Sequence, residues 1–266
     1  MEDEKMPLTH HLGDLRKRIV ISLLALLITF VVSFYYSEEI FGFMMFPLRY
    51  DLDVSLDNFH VYFLQKDKLQ NTKLVFLAPA EAFWMNIKVS LVAGLMLALP
   101  VVFHQLWKFV APGLLPKERR YVVPFIFSAT GLFIAGSAFC FFIVLPFALG
   151  FLLTYKVGDY MMPMLSVGQY IDFCLKFILA FGAVFELPIV ILFLTKMGIV
   201  SPKTLAKNRK YAVLIAFILA AVLSPTPDAF NQTLMAVPIL ILYELGILLS
   251  YLAARKKADG GTPAES

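Results

Sequence analysis

The chain has 266 residues, of which 60% are hydrophobic and 16% charged; its mean hydropathy is +0.78 and its net charge +4. Soluble domains run closer to half apolar and a quarter charged, so the composition excludes a soluble globular protein and predicts a polytopic membrane protein. Proline and glycine inside long apolar runs suit membrane helices and exclude the short alternating strands of a β-barrel.

The opening stretch, MEDEKMPLTHHLGDLRKR, is acidic at its start and leads into a long apolar run with no small-residue cleavage site. It therefore reads as neither a secretory signal nor a transit peptide. Leu8, Leu12, Leu15 and Ile19 recur at helical spacing, which predicts a helix lying along the membrane surface before it turns into the first span. Six spans are expected, at about 19–36, 80–103, 122–147, 169–195, 211–223 and 232–253, because their apolar runs approach the roughly 20 residues that cross ~30 Å of hydrocarbon. Segment 37–79 has too few residues for a core of its own and should cap the outer face. Ser201 followed by Pro202 has the form of a helix start, so a short helix should lead into the fifth span. That span ends before Pro225 and Pro227. About fourteen residues reach only ~20 Å, short enough to thin the bilayer or admit water nearby. Residues 1–254 are expected to form one six-helix transmembrane domain, and 255–266 a disordered tail.

Basic residues stay on the cytoplasmic side of a membrane. With the N-terminus inside, sixteen of the 23 Lys and Arg residues fall on the cytoplasmic side and five opposite, while Lys88 and Lys176 lie inside spans. Both termini are therefore expected in the cytoplasm.

Signatures of enzymes are missing. His10, His11, His60 and His104 are the only histidines, and no metal-ligand spacing, P-loop or paired cysteine motif occurs. No catalytic residue, metal, cofactor or nucleic-acid partner is expected. Cys140 and Cys174 lie in apolar runs and read as small buried hydrophobes. AGSAF at 135–139 reads as close helix packing, and Asp172 and Lys176, four apart on one helix, can neutralise each other. Asp14, beside Arg16, Lys17 and Arg18, adds nothing to positive-inside sorting. Glu118 sits among Lys117, Arg119 and Arg120, in a loop stiffened by Pro112 and Pro116 and flanked by Trp107 and Phe109. Glu186, Glu244 and Lys88 are candidate intramembrane charges, and an acid there costs about 2.5 kcal/mol or more unless it is hydrated or paired. Glu186 is the deepest, in FGAVFELPIV, where Pro188 cannot donate a helical hydrogen bond. It is expected to face a partly wet groove. The competing readings are a helix–helix hydrogen bond and a proton relay in a secondary transporter.

Several long collinear motifs resemble the TatC subunit of the twin-arginine translocase. They are HLGDLRKR (11–18), FPL (46–48), QLWKFVAPGLLPKERR (105–120), VLPFALGFLL (144–153), AFGAVFELPIV (180–190), SPKTLAKNRKY (201–211), SPTPDAFNQTLMAVP (224–238) and LYELGI (242–247). The resemblance implies an all-α receptor of six helices with a cupped, glove-like concave face and two short final helices, in the cytoplasmic membrane of a bacterium or archaeon. It implies binding of Arg-Arg signal peptides, assembly with the single-span partners TatA and TatB, and export of folded cargo driven by the proton-motive force. Glu118 and the acid of the first motif would contact the twin arginines; the family usually has Glu at that first position, and here it is Asp14, one methylene shorter. Arg16, Phe109, Glu186 and, on the outer side, Asp228 match other positions the family uses.

Overall fold

A computed structural model describes residues 8–55, 60–65, 74–110, 122–154, 165–223 and 228–259. In chain order the elements are α1 (Leu8–Tyr35), α2 (Ser37–Met44), α3 (Phe46–Arg49), an antiparallel hairpin of β1 (Tyr50–Ser55) and β2 (His60–Gln65), and α4 (Glu81–Val110). Next, α5 (Val122–Phe139) runs through a π turn at Cys140–Val144 into α6 (Leu145–Thr154). The remaining helices are α7 (Val167–Phe185), α8 (Leu187–Lys196), α9 (Pro202–Lys207), α10 (Arg209–Leu223) and α11 (Ala229–Asp259).

Among the described residues, five helical stretches are long and apolar enough to cross a membrane: Gly13–Tyr35, Glu81–Phe109, Val123–Leu153, Val167–Lys196 and Ala229–Ala253. The sixth expected span, α10, has 15 residues, or about 22 Å. The fold is thus helical throughout its candidate spans. The all-α class holds for the spans, and segment 37–79 adds a small hairpin, where β1 and β2 pair with Tyr50 opposite Gln65; Val54, Val61, Tyr62 and Phe63 there favour extended backbone.

Three expectations are corrected. First, α1 is one uninterrupted 28-residue helix and does not turn at Ile19. No proline interrupts it, and breaking it there would orphan backbone groups at the edge of an apolar run. Second, the two final helices are not both short: α11 has 31 residues, with Pro238 inside it. Third, the helix continues through Asp259, so residues 255–259 are ordered as helix; the rest of the expected tail, 260–266, lies outside the described residues.

Proline explains two local departures from α geometry. Pro146 has no N–H, and its ring would press on the carbonyl one turn back. The preceding turn widens, and Leu145 N–H donates to the Cys140 carbonyl, five residues back. Pro188, buried in the second position of α8, likewise ends α7 at Glu186.

The chain forms two compact units, residues 1–43 with 78–131 and residues 44–77 with 132–266. In the first, α1 lies antiparallel on α4. Thr29 Oγ1 donates to the Gly94 carbonyl at 2.8 Å, and Ser90 Oγ to the Ser33 carbonyl at 3.5 Å. Ser90 and Gly94 form a small-xxx-small pair, and a Cβ at Gly94 would stand 2.9 Å from the Phe30 backbone nitrogen and Cα. The other face of α1, with Leu23, Leu27, Ile28 and Val31, is exposed, as suits contact with lipid.

In the second unit, α5 meets α7 through AGSAF, as expected: a Cβ on Gly136 would stand 2.7 Å from the Phe181 carbonyl oxygen, and Ser137 Oγ donates to the Ile178 carbonyl at 3.3 Å. Helix α11 closes on α8, with Gly246 against Ile191, and Ser250 Oγ donates to Thr195 Oγ1 at 2.7 Å. Val184, Ala216, Ile239 and Leu242 form a core joining α7, α10 and α11. Segment 44–77 is tied to the start of α7 twice. Val75 pairs with its entry strand through Val75 N–H to the Leu165 carbonyl and Val167 N–H to the Val75 carbonyl, and Tyr170 O–H donates to the Met44 carbonyl.

Candidate functional site

The contacts of Thr29 with Gly94 and of Ser33 with Ser90 set an antiparallel register. Carried to the N-terminal end of α1 at equal rise per residue, it brings Asp14 level with Phe109 and Arg16 level with Trp107. Three of the four expected recognition residues, Asp14, Arg16 and Phe109, thus share one end of a helical hairpin. The fourth, Glu118, lies outside the described residues.

Asp14 Oδ2 stands 3.9 Å from Arg18 Nη2, one turn along, and the Asp14 side chain keeps 40% of its exposure. That contact is too long for a hydrogen bond, so the carboxylate keeps room for another cation. Arg16 is exposed, whereas Arg18 is turned inward and its buried Nε has no partner among the described residues. Trp107 is buried with its ring 4.4 Å from that of Phe125, which fastens the end of α4 to α5, and Phe109 is half-buried beside it. A part-exposed carboxylate at the same end of the hairpin as an aromatic ring suits recognition of a guanidinium, by charge-assisted hydrogen bonds and by stacking.

In the second unit, Glu186 occupies the joint between α7 and α8. Its N–H donates to the Ala183 carbonyl at 3.2 Å, and its carbonyl accepts from Val190 N–H at 2.9 Å. Its carboxyl Oε1 is buried with no partner among the described residues. A helix–helix hydrogen bond to that oxygen is not found among the described residues. Asp228 starts α11: Oδ1 accepts from Asn231 N–H at 2.7 Å and Oδ2 from Asn231 Nδ2 at 2.9 Å. It is an N-cap, which sequence inspection missed although an Asp immediately before a helical run is its usual signal.

Glu244 is no isolated intramembrane charge. It holds Arg209 by two hydrogen bonds, and these, with the carboxylate's charge, push the Arg209 guanidinium further up from its ordinary range. Asp172 and Lys176 both line one cavity. Among the same residues no group of three or more His, Cys, Asp or Glu is placed to hold a metal ion.

The geometry defines a multi-pass helical membrane protein whose acidic and aromatic groups gather at the end of a helical hairpin and at a helix joint. Residues 10–238 match the family described as Sec-independent protein translocase protein (TatC), and the chain belongs to that family. It is 42% identical over 260 residues to the TatC of Carboxydothermus hydrogenoformans, covering 98% of this chain and 99% of that one. It is 40% identical to the TatC of Aquifex aeolicus, over 96% and 98% of the two chains. A crystal structure of the twin-arginine translocase receptor TatC, 39% identical, superposes with a TM-score of 0.76 over 92% of this chain and all of that one. The protein is a core subunit of a twin-arginine translocation system, and the family is one of transport components.

Proposed function

We propose that this chain is the receptor of that system for Arg-Arg signal peptides, with Asp14, Arg16, Phe109 and Glu118 as its contact surface. The observation that carries the reading is the Asp14 carboxylate: 40% exposed, held among the described residues at 3.9 Å by Arg18, and level with Phe109. The chain acts as one transmembrane domain over 1–254, a cupped, glove-like bundle of six spans with α10 as the fifth and both termini in the cytoplasm of a bacterium or archaeon. Sixteen basic residues on that side against five opposite support this orientation. TatA and TatB assemble on it, Glu186 offers its buried oxygen, without a partner among the described residues, to a polar group of a partner helix, Asp228 serves the outer side, and the proton-motive force drives folded cargo across.

A photo-crosslinker at Phe109 tests the reading. An Arg-Arg signal peptide should crosslink there and a Lys-Lys version far less; equal yields from the two would refute it. Cysteine labelling tests the topology: Ser55→Cys should react from outside intact cells, and Ser266→Cys only after permeabilisation.

A further inference from the structure

Arg18 lies four residues beyond Asp14, so both side chains stand on one face of α1, with Asp14 Oδ2 3.9 Å from Arg18 Nη2. Among the described residues no other cation reaches this carboxylate, and Arg16 and Lys17 are exposed. The Arg18 side chain keeps only 20% of its exposure, and its buried Nε has no partner among the described residues. A guanidinium that has lost most of its water is costly unless it is paired. Asp14 is the group that offsets this charge.

The sequence fixes where Arg18 stands. From Ile19 to Tyr36 the chain carries no Asp, Glu, Lys, Arg or His, so Arg18 is the last charge before the hydrocarbon and does not slip deeper. An arginine arriving from another chain therefore meets an acid that is already engaged. A carboxylate takes a guanidinium best through both oxygens at once, in parallel hydrogen bonds of about 2.7–2.9 Å. The Arg18 contact is single and longer than that, so it yields to such a fork. The fork needs Oδ2, however, and Arg18 has to leave it first.

We propose that Arg18 is a built-in stand-in for an arginine of the signal peptide: it occupies Asp14 in the empty receptor and is displaced when the peptide binds. The proposal rests on the receptor reading above and adds an affinity threshold to it. Only the fraction of the receptor with Asp14 released is competent to bind, and the apparent affinity falls by that fraction. A part-exposed pair of this kind favours the engaged form by about fivefold. Arg18 acts through Asp14, as a positioning residue, and touches no part of the peptide.

The test uses the full chain purified in detergent and a fluorescently labelled Arg-Arg signal peptide, with affinity read by anisotropy. Arg18→Gln should bind the peptide about fivefold more tightly than the parent. Arg18→Met, which keeps an apolar stem, should do the same, and a gain in affinity cannot come from misfolding. Arg18→Lys keeps a cation one turn from Asp14 and should bind like the parent. The decisive comparison is made in Asp14→Ala, where no carboxylate is left to occupy and adding Arg18→Gln should change nothing. An equal gain in both backgrounds would show plain repulsion between cations and overturn the proposal. So would unchanged or weaker binding by Arg18→Gln and Arg18→Met with Asp14 in place. If Asp14→Ala weakens the peptide but the Arg18 variants do not tighten it, the stand-in alone fails. If Asp14→Ala has no effect with or without Arg18, the receptor contact at Asp14 fails and the stand-in with it.

Discussion

Arg209 and Glu244 join α10 to α11 by a two-pronged ion pair, with Nε to Oε1 at 2.7 Å and Nη2 to Oε2 at 2.8 Å. Both side chains remain about half exposed, at 56% and 49%. The fork geometry fits a guanidinium and would not fit an ammonium. Arg209→Lys should therefore lower the melting temperature in detergent nearly as much as Arg209→Ala. A double-mutant cycle with Glu244→Ala should give a coupling that shrinks as salt is added; a coupling insensitive to salt would contradict a solvent-screened pair.

Gly94→Ala should push α1 away from α4, because the new methyl would meet the Phe30 backbone at 2.9 Å and not a movable side chain tip. The expected cost is about 1–3 kcal/mol. Gly131→Ala, with nothing within 4 Å of its Cβ position, is the matched control and should be stabilising by about 0.5–1 kcal/mol. Thermal unfolding of both variants in one detergent checks the contrast.

Asp228 separates capping from transport. Asp228→Ala removes the acceptor for Asn231 N–H and should cost about 1 kcal/mol. Asp228→Asn keeps an acceptor and should melt within a few tenths of a kcal/mol of the parent. If the charge serves export on the outer side, Asp228→Asn should export poorly while remaining folded; normal export by that variant would reduce the residue to a cap.

At Glu186 the expected order is inverted between stability and activity. Its buried Oε1 has no partner among the described residues, and such an atom is costly to desolvate. Glu186→Leu should fold at least as stably as the parent, yet impair export or recruitment of partner helices. Loss of thermal stability in Glu186→Leu, or unimpaired export, would show the carboxyl to be a structural contact. Glu186→Gln, which keeps shape and hydrogen bonding, tells whether the charge itself is needed.

Asp14→Ala should weaken an Arg-Arg peptide by about fivefold, the effect of a part-exposed charge pair. The larger losses that follow truncation of a buried pair, roughly 2–5 kcal/mol, do not apply at 40% exposure. Peptide affinity measured on the purified chain decides this, and an unchanged affinity would make Asp14 a solvated surface charge.

What could be seen in the sequence was whatever a residue type imposes on its own backbone. Ser201 and Pro202 start α9, with Ser201 Oγ accepting from Thr204 N–H. Pro188 breaks the fourth span at Glu186, and α10 is short. Hidden from the sequence was whatever depends on which helix lies alongside. Arg209 and Glu244 are 35 residues apart and meet only because α10 and α11 run antiparallel. Ser90 and Gly94 look like any small residues in an apolar run until α1 is laid on them. The continuity of α1 past Ile19 was misread because its apolar periodicity suits a helix at the surface and a helix crossing it equally well.

The wide turn at Cys140–Val144 amounts to one surplus residue carried within a helix. An α-helix advances about 100° per residue, so deleting one residue there would restore an ordinary ladder while rotating everything beyond it by that angle. Phe147 and Phe151 lie beyond it, and both stack on Phe230 of α11, with centroids 5.7 and 3.7 Å away. A single deletion in this turn would swing both rings off their partner, whereas one placed before Val122 would leave the stack in register. The phase of the third span is therefore set locally, within five residues, and not by its overall length.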